Sequence, residues 1–441
     1  MGAFVLAAAH VFSDAREVLG YEVNESYLDT LQGRLKGDSA APRVRLEHAD
    51  FFSTDWQAQT KELPGHLLIV GNFPWVTNAT QGAIGGKNLP QKSNFLGFNG
   101  FDAISGKANF DISEWMLLDV LRWLSLRGGD VAMLVKTAVA RKVLAHAERQ
   151  RQPVTDAQIV EINAKKHFGA SVDACLLVIR LDPKVQPSYD YTVFASLEDR
   201  QGRTVGHRQG LTVSDLDTFE SCSFLVGQSP QKWRSGIKHD ASAVMEFTRC
   251  TTGYENGLGE IVQLEDVYLF PLLKGSDIGS NKEWRSKFVL VTQRAVGADT
   301  GPIKELAPRT WAYLEAHAEQ LNARGSTIYA KNPRYSIFGV GDYAFRPWRI
   351  AICGLYKALR FRLVAPLEGR PVMFDDTVYY VSFDTEEEAR QTLTALESDP
   401  AMGLLSSLIF WDEKRPIKTG ILNVLDWSRL HAGTPSQTAL I

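Results

Sequence analysis

Asn72-Phe73-Pro74-Trp75 is the stretch of this sequence whose residue types fit one nameable chemical task. The Asn72 amide oxygen and the main-chain carbonyl of Phe73 are two hydrogen-bond acceptors, Pro74 stiffens the turn, and Trp75 offers a flat face. Such a group suits a flat ring with an exocyclic amine, adenine being the leading case. The amine lone pair is drawn into the ring, so making it attack needs acceptors that hold both N–H bonds out of conjugation. An aromatic side chain can meanwhile stack on a base drawn out of its duplex. An ordinary strand-to-loop turn with a packed Trp is the other reading of the same residues.

The elements that must position this group read as an α/β layout. The apolar run 66–70 has the length and β-branched content of a central parallel strand, and Gly71 ends it. The tetrapeptide then sits at a carboxyl edge, where open α/β sheets bind ligands. Upstream, residues 2–12 read as an Ala-rich helix and 16–24 as a strand closing on Glu22, an acid that can accept from both ribose hydroxyls of a nucleoside. A helix over 26–35 follows, then a strand within 44–52, where Asp50 can accept from an adenine amine and Phe51 can cover the ring.

In their order, these stretches resemble the motifs of the S-adenosylmethionine-dependent amino-methyltransferases, most closely the adenine-specific DNA methyltransferases. Asn72 to Trp75 resemble motif IV, (Asn/Asp)-Pro-Pro-(Tyr/Phe/Trp), with Phe73 standing where the family usually has its first proline. The carbonyl survives that change and the stiffness of a Pro-Pro pair does not. Asp50 with Phe51 looks like motif III and Glu22 with Val23 like motif II. Gly2 and Phe4 resemble the tail of motif I, (Asp/Asn)-Pro-x-x-Gly-x-Gly-x-Phe, whose earlier part and the upstream motif X are expected to lie outside this sequence. The resemblance implies S-adenosylmethionine as cofactor, held by Gly2, Phe4, Glu22, Val23, Asp50 and Phe51. It implies an α/β fold whose Rossmann-like methyltransferase sheet, incomplete at the amino end, is followed by an α+β target-recognition domain.

Composition sets the bounds. A chain of 441 residues with 44% hydrophobic and 22% charged residues is an ordinary globular one of two or three domains, and its net charge of −3 excludes a protein basic all over. DNA contact must therefore rest on a local patch. Cys175, Cys222, Cys250 and Cys353 are scattered without metal-ligand spacing and read as reduced cytosolic thiols, and no metal site is expected. No export signal and no run long enough to span a bilayer is read, which predicts a cytoplasmic protein.

After the tetrapeptide comes a Gly-, Asn- and Lys-rich stretch to residue 110, in which Lys87, Lys92 and Lys107 are candidate phosphate ligands. A helix over 111–127 with Asp111 at its cap follows, in which Trp115 and Trp123 read as core. Residues 128–144 read as strand, turn and helix, with Lys136 and Thr137 at the strand's carboxyl end. Residues 165–182 resemble the family's closing hairpin, with an antiparallel strand at the sheet edge, and Lys165 and Lys166 read as solvated charge.

The expected domains are 1–182, catalytic; 183–230, a bridging segment; and 231–441, target recognition. The stretch VYLFPLLKGSDIG, with Lys274 in it, resembles recognition domains of single-chain adenine methyltransferases, and 311–326 predicts one amphipathic helix. Between residues 331 and 370 stand Lys331, Arg334, Arg346, Arg349, Lys357, Arg360, Arg362 and Arg370 against Asp342 and Glu368, interleaved with aromatics. That mixture suits phosphate contact with base stacking or base-edge readout; a β-sheet core with solvated basic flanks is the alternative. Lys274, Arg334, Arg346, Arg349, Lys414 and Arg415 are the candidate DNA ligands.

The function these readings predict is methyl transfer to the exocyclic amine of adenine in double-stranded DNA, within a restriction-modification or related defence system, with a separate restriction endonuclease as a partner. No convincing PD…(D/E)xK nuclease motif is present. Two alternatives stay open: an inactive copy that keeps DNA binding, and a methyltransferase acting on a protein glutamine or on RNA.

Overall fold

The computed structural model describes residues 2–75, 111–229 and 231–432. It is mixed α/β and divides into two compact units, Met1–Gly210 and Leu211–Ile441.

In the first unit, helix α1 (Ala3–Val11) leads into strand β1 (Val18–Glu22), helix α2 (Glu25–Leu35) and strand β2 (Val44–His48). The Asn24 side chain accepts from the Ser26 N–H at 3.0 Å and caps α2, whose Leu28, Leu31 and Leu35 recur at helical spacing and are buried. β1 and β2 run parallel, Val18 opposite Val44 and Glu22 opposite His48. Helix α3 (Trp56–Lys61) leads to β3 (Leu68–Gly71). Beyond the undescribed stretch come α4 (Ile112–Leu124), β4 (Gly129–Lys136), α5 (Thr137–Arg149), β5 (Val154–Ile162), α6 (Ala164–Phe168), β6 (Ala174–Leu181), β7 (Tyr191–Phe194) and β8 (Arg203–Arg208).

Within this unit the second sheet is ordered β3-β4-β6-β5-β7-β8. β3 pairs parallel with β4, and Val131, Met133 and Val135 alternate inward from β4. Gly129 begins β4 at φ 146°, and a Cβ there would lie 2.8 Å from the Leu67 carbonyl, so the close approach of β3 and β4 needs glycine. β6 is antiparallel as expected but does not lie at the edge: β4 flanks it on one side and β5 on the other. The stretch expected to bridge two domains divides instead. β7 joins β5 and β8 joins β7, which extends the first unit's sheet, while the residues from Leu211 onward belong to the second unit.

The second unit is built on two sheets. One orders Arg234–Ser235, Val378–Phe383, Trp348–Cys353 and Arg362–Val364; the other orders Ile261–Val262, Gly253–Asn256, Glu246–Cys250, Lys287–Leu290, Leu269–Leu273 and Met373–Phe374. Strand Trp348–Cys353 is buried on both faces: Ile350 and Ile352 enter one core with Phe383 and Leu404, while Ala351 and Cys353 enter another with Phe374 and Tyr380. The single amphipathic helix expected over 311–326 is two short ones, Pro308–Ala316 and Ala318–Asn322. They break at His317, whose Nδ1 lies 2.9 Å from the Tyr313 carbonyl and whose Nε2 lies 2.7 Å from Glu260.

Candidate active site

A cleft of about 1480 Å³ in the first unit is lined by α1, β1, the turn after β2, β3 and the residues that follow it. Both β1 and β3 leave one edge unpaired among the described residues, and both edges border this cleft. Gly2, Phe4, Glu22, Val23, Asp50, Phe51, Asn72, Phe73 and Pro74 all line it. Every residue expected to hold the cofactor thus shares one concavity with three of the four expected to act on the acceptor.

Local hydrogen bonds set these groups. Glu22 Oε1 accepts from the Asn24 N–H at 2.9 Å, and the Glu22 carbonyl accepts from Ala49 N–H at 3.1 Å, which ties the carboxyl ends of β1 and β2 together. Asp50 Oδ1 accepts from the Phe52 N–H at 3.0 Å, and the Phe51 carbonyl from the Trp56 indole at 2.8 Å. Gly2 caps α1 at φ 73°, where a Cβ would collide with the Leu31 side chain. Helix α1 is apolar except for His10, yet only Ala9 is fully buried, and Phe4 is 43% exposed.

Phe51 sits in a cluster of rings. Its centroid lies 5.2 Å from that of Trp123, 5.3 Å from Phe73 and 6.2 Å from Trp115. Trp123 is buried as expected, and Trp115 packs 5.4 Å from Phe52. Phe73 therefore gains from ring packing some of the order that a second proline would have given. Asn72 and Pro74 are exposed at the cleft. Trp75 is turned onto β4: its indole N–H donates to the Leu134 carbonyl at 3.4 Å, and its own carbonyl accepts from Lys136 Nζ at 3.2 Å. Lys136 also donates to Asp111 Oδ2 at 2.6 Å. The sequence puts Lys136 at a strand end but does not show this tie, whose one signal is a lysine in the last position of a buried strand.

The candidate DNA ligands are scattered. Lys87, Lys92 and Lys107 lie outside the described residues. Lys274 donates to both Glu246 carboxylate oxygens at 2.9 Å. Arg349 is a correction: it shares the inward face of its strand with Ala351 and Cys353, is 0% exposed, and gives its Nη2 to the Ala344 carbonyl at 2.6 Å. Burial lowers its pKa to about 10. Arg415 is half-buried, donates to the Asp376 carbonyl and lies 5.1 Å over the Tyr379 ring. Arg334, Arg346 and Lys414 are exposed. Arg334 lies over Tyr335 at 4.7 Å, and Arg346 is 3.6 Å from Asp384.

No family model matches the chain. Over 430 residues it is 44% identical to the type II methyltransferase M.NspV of Nostoc sp., a match that covers 97% of this chain and 89% of that one. Among solved structures, the type IIL restriction-modification enzyme MmeI, determined in complex with DNA, aligns with a TM-score of 0.50 at 12% identity. That alignment covers 86% of this chain and 48% of MmeI, so this chain spans about half of that enzyme's length and the likeness is one of fold.

Proposed function

This chain belongs to the type II methyltransferases, and from that premise we propose that it transfers a methyl group from S-adenosylmethionine to the exocyclic amine of adenine in double-stranded DNA, as the modification arm of a restriction-modification system. The observation that carries the reading is the single cleft shared by Glu22, Asp50 and Phe51 with Asn72 and Phe73. An acid at a strand end for ribose hydroxyls, a second acid for an amine and a ring to cover a base fit the adenosine part of that cofactor. When bound, it supplies an electrophilic methyl group.

The chain's own residues then do the rest. The Asn72 side-chain oxygen and the Phe73 main-chain oxygen accept the two N–H bonds of the adenine amine, which keeps its lone pair out of the ring and directed at the methyl group. Trp75 stacks on the extruded base. Accepting the methyl group would place positive charge on the amine, which the same two acceptors, the Asn72 side-chain oxygen and the Phe73 main-chain oxygen, would stabilise until the proton leaves to solvent. The second unit, with exposed Arg334, Arg346 and Lys414, selects the site on DNA, and cleavage belongs to a separate endonuclease.

The test is methyl transfer from tritiated cofactor to unmethylated bacteriophage DNA, followed by digestion to nucleosides. N6-methyldeoxyadenosine is the expected product. Label in N4-methyldeoxycytidine, or in protein or RNA offered in parallel but not in DNA, would overturn the reading.

A further inference from the structure

We propose that Lys136 is a positioning residue for the tetrapeptide 72–75, holding the Trp75 main chain and ring at the depth that methyl transfer requires; this rests on the function proposed above. The tetrapeptide follows β3, a strand of four residues, and its second position is Phe where a proline would have fixed the backbone. Its order must come from outside. Strand β4 supplies it, since β4 is paired along both edges, by β3 on one side and β6 on the other.

Two residues of β4 grip Trp75 at two points. The Leu134 carbonyl takes the indole N–H at 3.4 Å, and Lys136 Nζ reaches the Trp75 carbonyl at 3.2 Å. The same ammonium donates at 2.6 Å to Asp111 Oδ2, whose side chain is only 9% exposed. The other Asp111 oxygen is already engaged by Ser113, at 3.1 Å from its N–H and 2.6 Å from its hydroxyl, as the cap of α4. Lys136 is thus held by a carboxylate that is itself fixed to a helix, and the charge-assisted bond anchors the weaker one to the Trp75 carbonyl. A neutral side chain of equal length at 136 would leave the Trp75 carbonyl and the Asp111 carboxylate without their shared donor.

The experiment uses the full chain with 5-fluorotryptophan incorporated and the Trp75 signal assigned by Trp75→Phe. In Lys136→Met the Trp75 fluorine resonance should shift or broaden while those of the other nine tryptophans stay in place. Turnover on bacteriophage DNA should fall about tenfold or more, with KM for S-adenosylmethionine within about twofold. Lys136→Arg, which can still bridge a carbonyl and a carboxylate, should recover most of both, and Asp111→Asn should show a smaller version of the Met phenotype. If Met at 136 prevents folding, Lys136→Gln and Asp111→Asn carry the same two readouts. An unmoved Trp75 resonance, or an unchanged kcat, in a folded variant would overturn the proposal. The resonance is read without substrate, so it decides the tie even if the wild-type chain methylates no DNA, which would overturn the proposed function instead.

Discussion

The Phe51 and Phe73 rings meet edge to face, with centroids 5.3 Å apart and planes inclined at 71°. One belongs to the turn that would cover the cofactor adenine and the other to the tetrapeptide that would act on the target amine, so the contact couples the two halves of the cleft. Edge-to-face pairs are worth about 0.5–1.5 kcal/mol beyond the area they bury. Phe73→Ala should therefore weaken S-adenosylmethionine binding about two- to tenfold by calorimetric titration. Unchanged affinity would show that the ring pair does not reach the cofactor.

Asn72→Ala should lower methyl transfer by at least about 100-fold, because its side-chain oxygen acts where charge develops in the transition state. DNA affinity should stay within a few-fold, since the amide does not hold the duplex. Turnover near the wild-type rate in this variant would remove Asn72 from the chemistry.

Part of the cleft was legible in the sequence because Glu22, Asp50 and Asn72 each lie at or just past the carboxyl end of a strand, where α/β layouts gather ligand-binding groups. The expected DNA contacts were less legible because charge alone does not say which side of a strand an arginine takes. Arg349 points inward with Ala351 and Cys353, Arg362 donates to the Asp277 and Lys282 carbonyls, and Arg370 donates to the Asp266 and Leu269 carbonyls. These arginines hold loops to sheets, a use that leaves the same one-sided charge count as a DNA-binding stripe. The helix break at His317 was hidden for a related reason: the pull comes from Glu260, which is distant in sequence.

Arg349 lends itself to a direct test. Its Nε and Nη1 meet no hydrogen-bond acceptor among the described residues, although the side chain is 0% exposed. Burying a charge without a counter-ion is costly, and a methionine of similar length fills the same space without that cost. Arg349→Met should unfold at the same temperature as wild type or higher and bind DNA with unchanged affinity. A loss of more than about 2 kcal/mol would mean that the guanidinium has a partner that outweighs its desolvation.

Glu265 gives the second unit an acid-sensitive joint. Its Oε1 accepts from the Arg309 N–H at 3.0 Å, and its Oε2 from the Thr310 N–H at 2.8 Å and the Thr310 hydroxyl at 2.7 Å, at the start of helix Pro308–Ala316. Burial pushes its pKa up, but the bonds from the Thr310 hydroxyl and the two N–H groups outweigh that and hold it down to about 2, against an ordinary 4.5. A depressed folded-state pKa stabilises the fold above the unfolded value and loses that contribution as pH falls between the two. Glu265→Gln should cost about 1–3 kcal/mol at neutral pH, by denaturant unfolding, and the gap from wild type should close below about pH 4. A gap that stays constant with pH would show that the carboxylate charge is not what matters.

The exposed cations Arg334 and Arg346 are expected to meet phosphate, which makes their contribution a matter of salt as much as of affinity. Each phosphate neutralised releases bound counterion, so the logarithm of affinity falls with the logarithm of salt in proportion to the number of contacts. Arg334→Glu and Arg346→Glu in the full chain should each weaken binding to unrelated duplexes by similar factors and reduce the salt slope by about 1. Arg349→Met, buried and away from solvent, should leave that slope untouched and serves as the control. Arg346 also lies 3.6 Å from Asp384, so Asp384→Asn should strengthen binding slightly by releasing the guanidinium to DNA. A slope that stays the same in both reversals, measured by fluorescence anisotropy across a salt series, would remove Arg334 and Arg346 from the phosphate contacts.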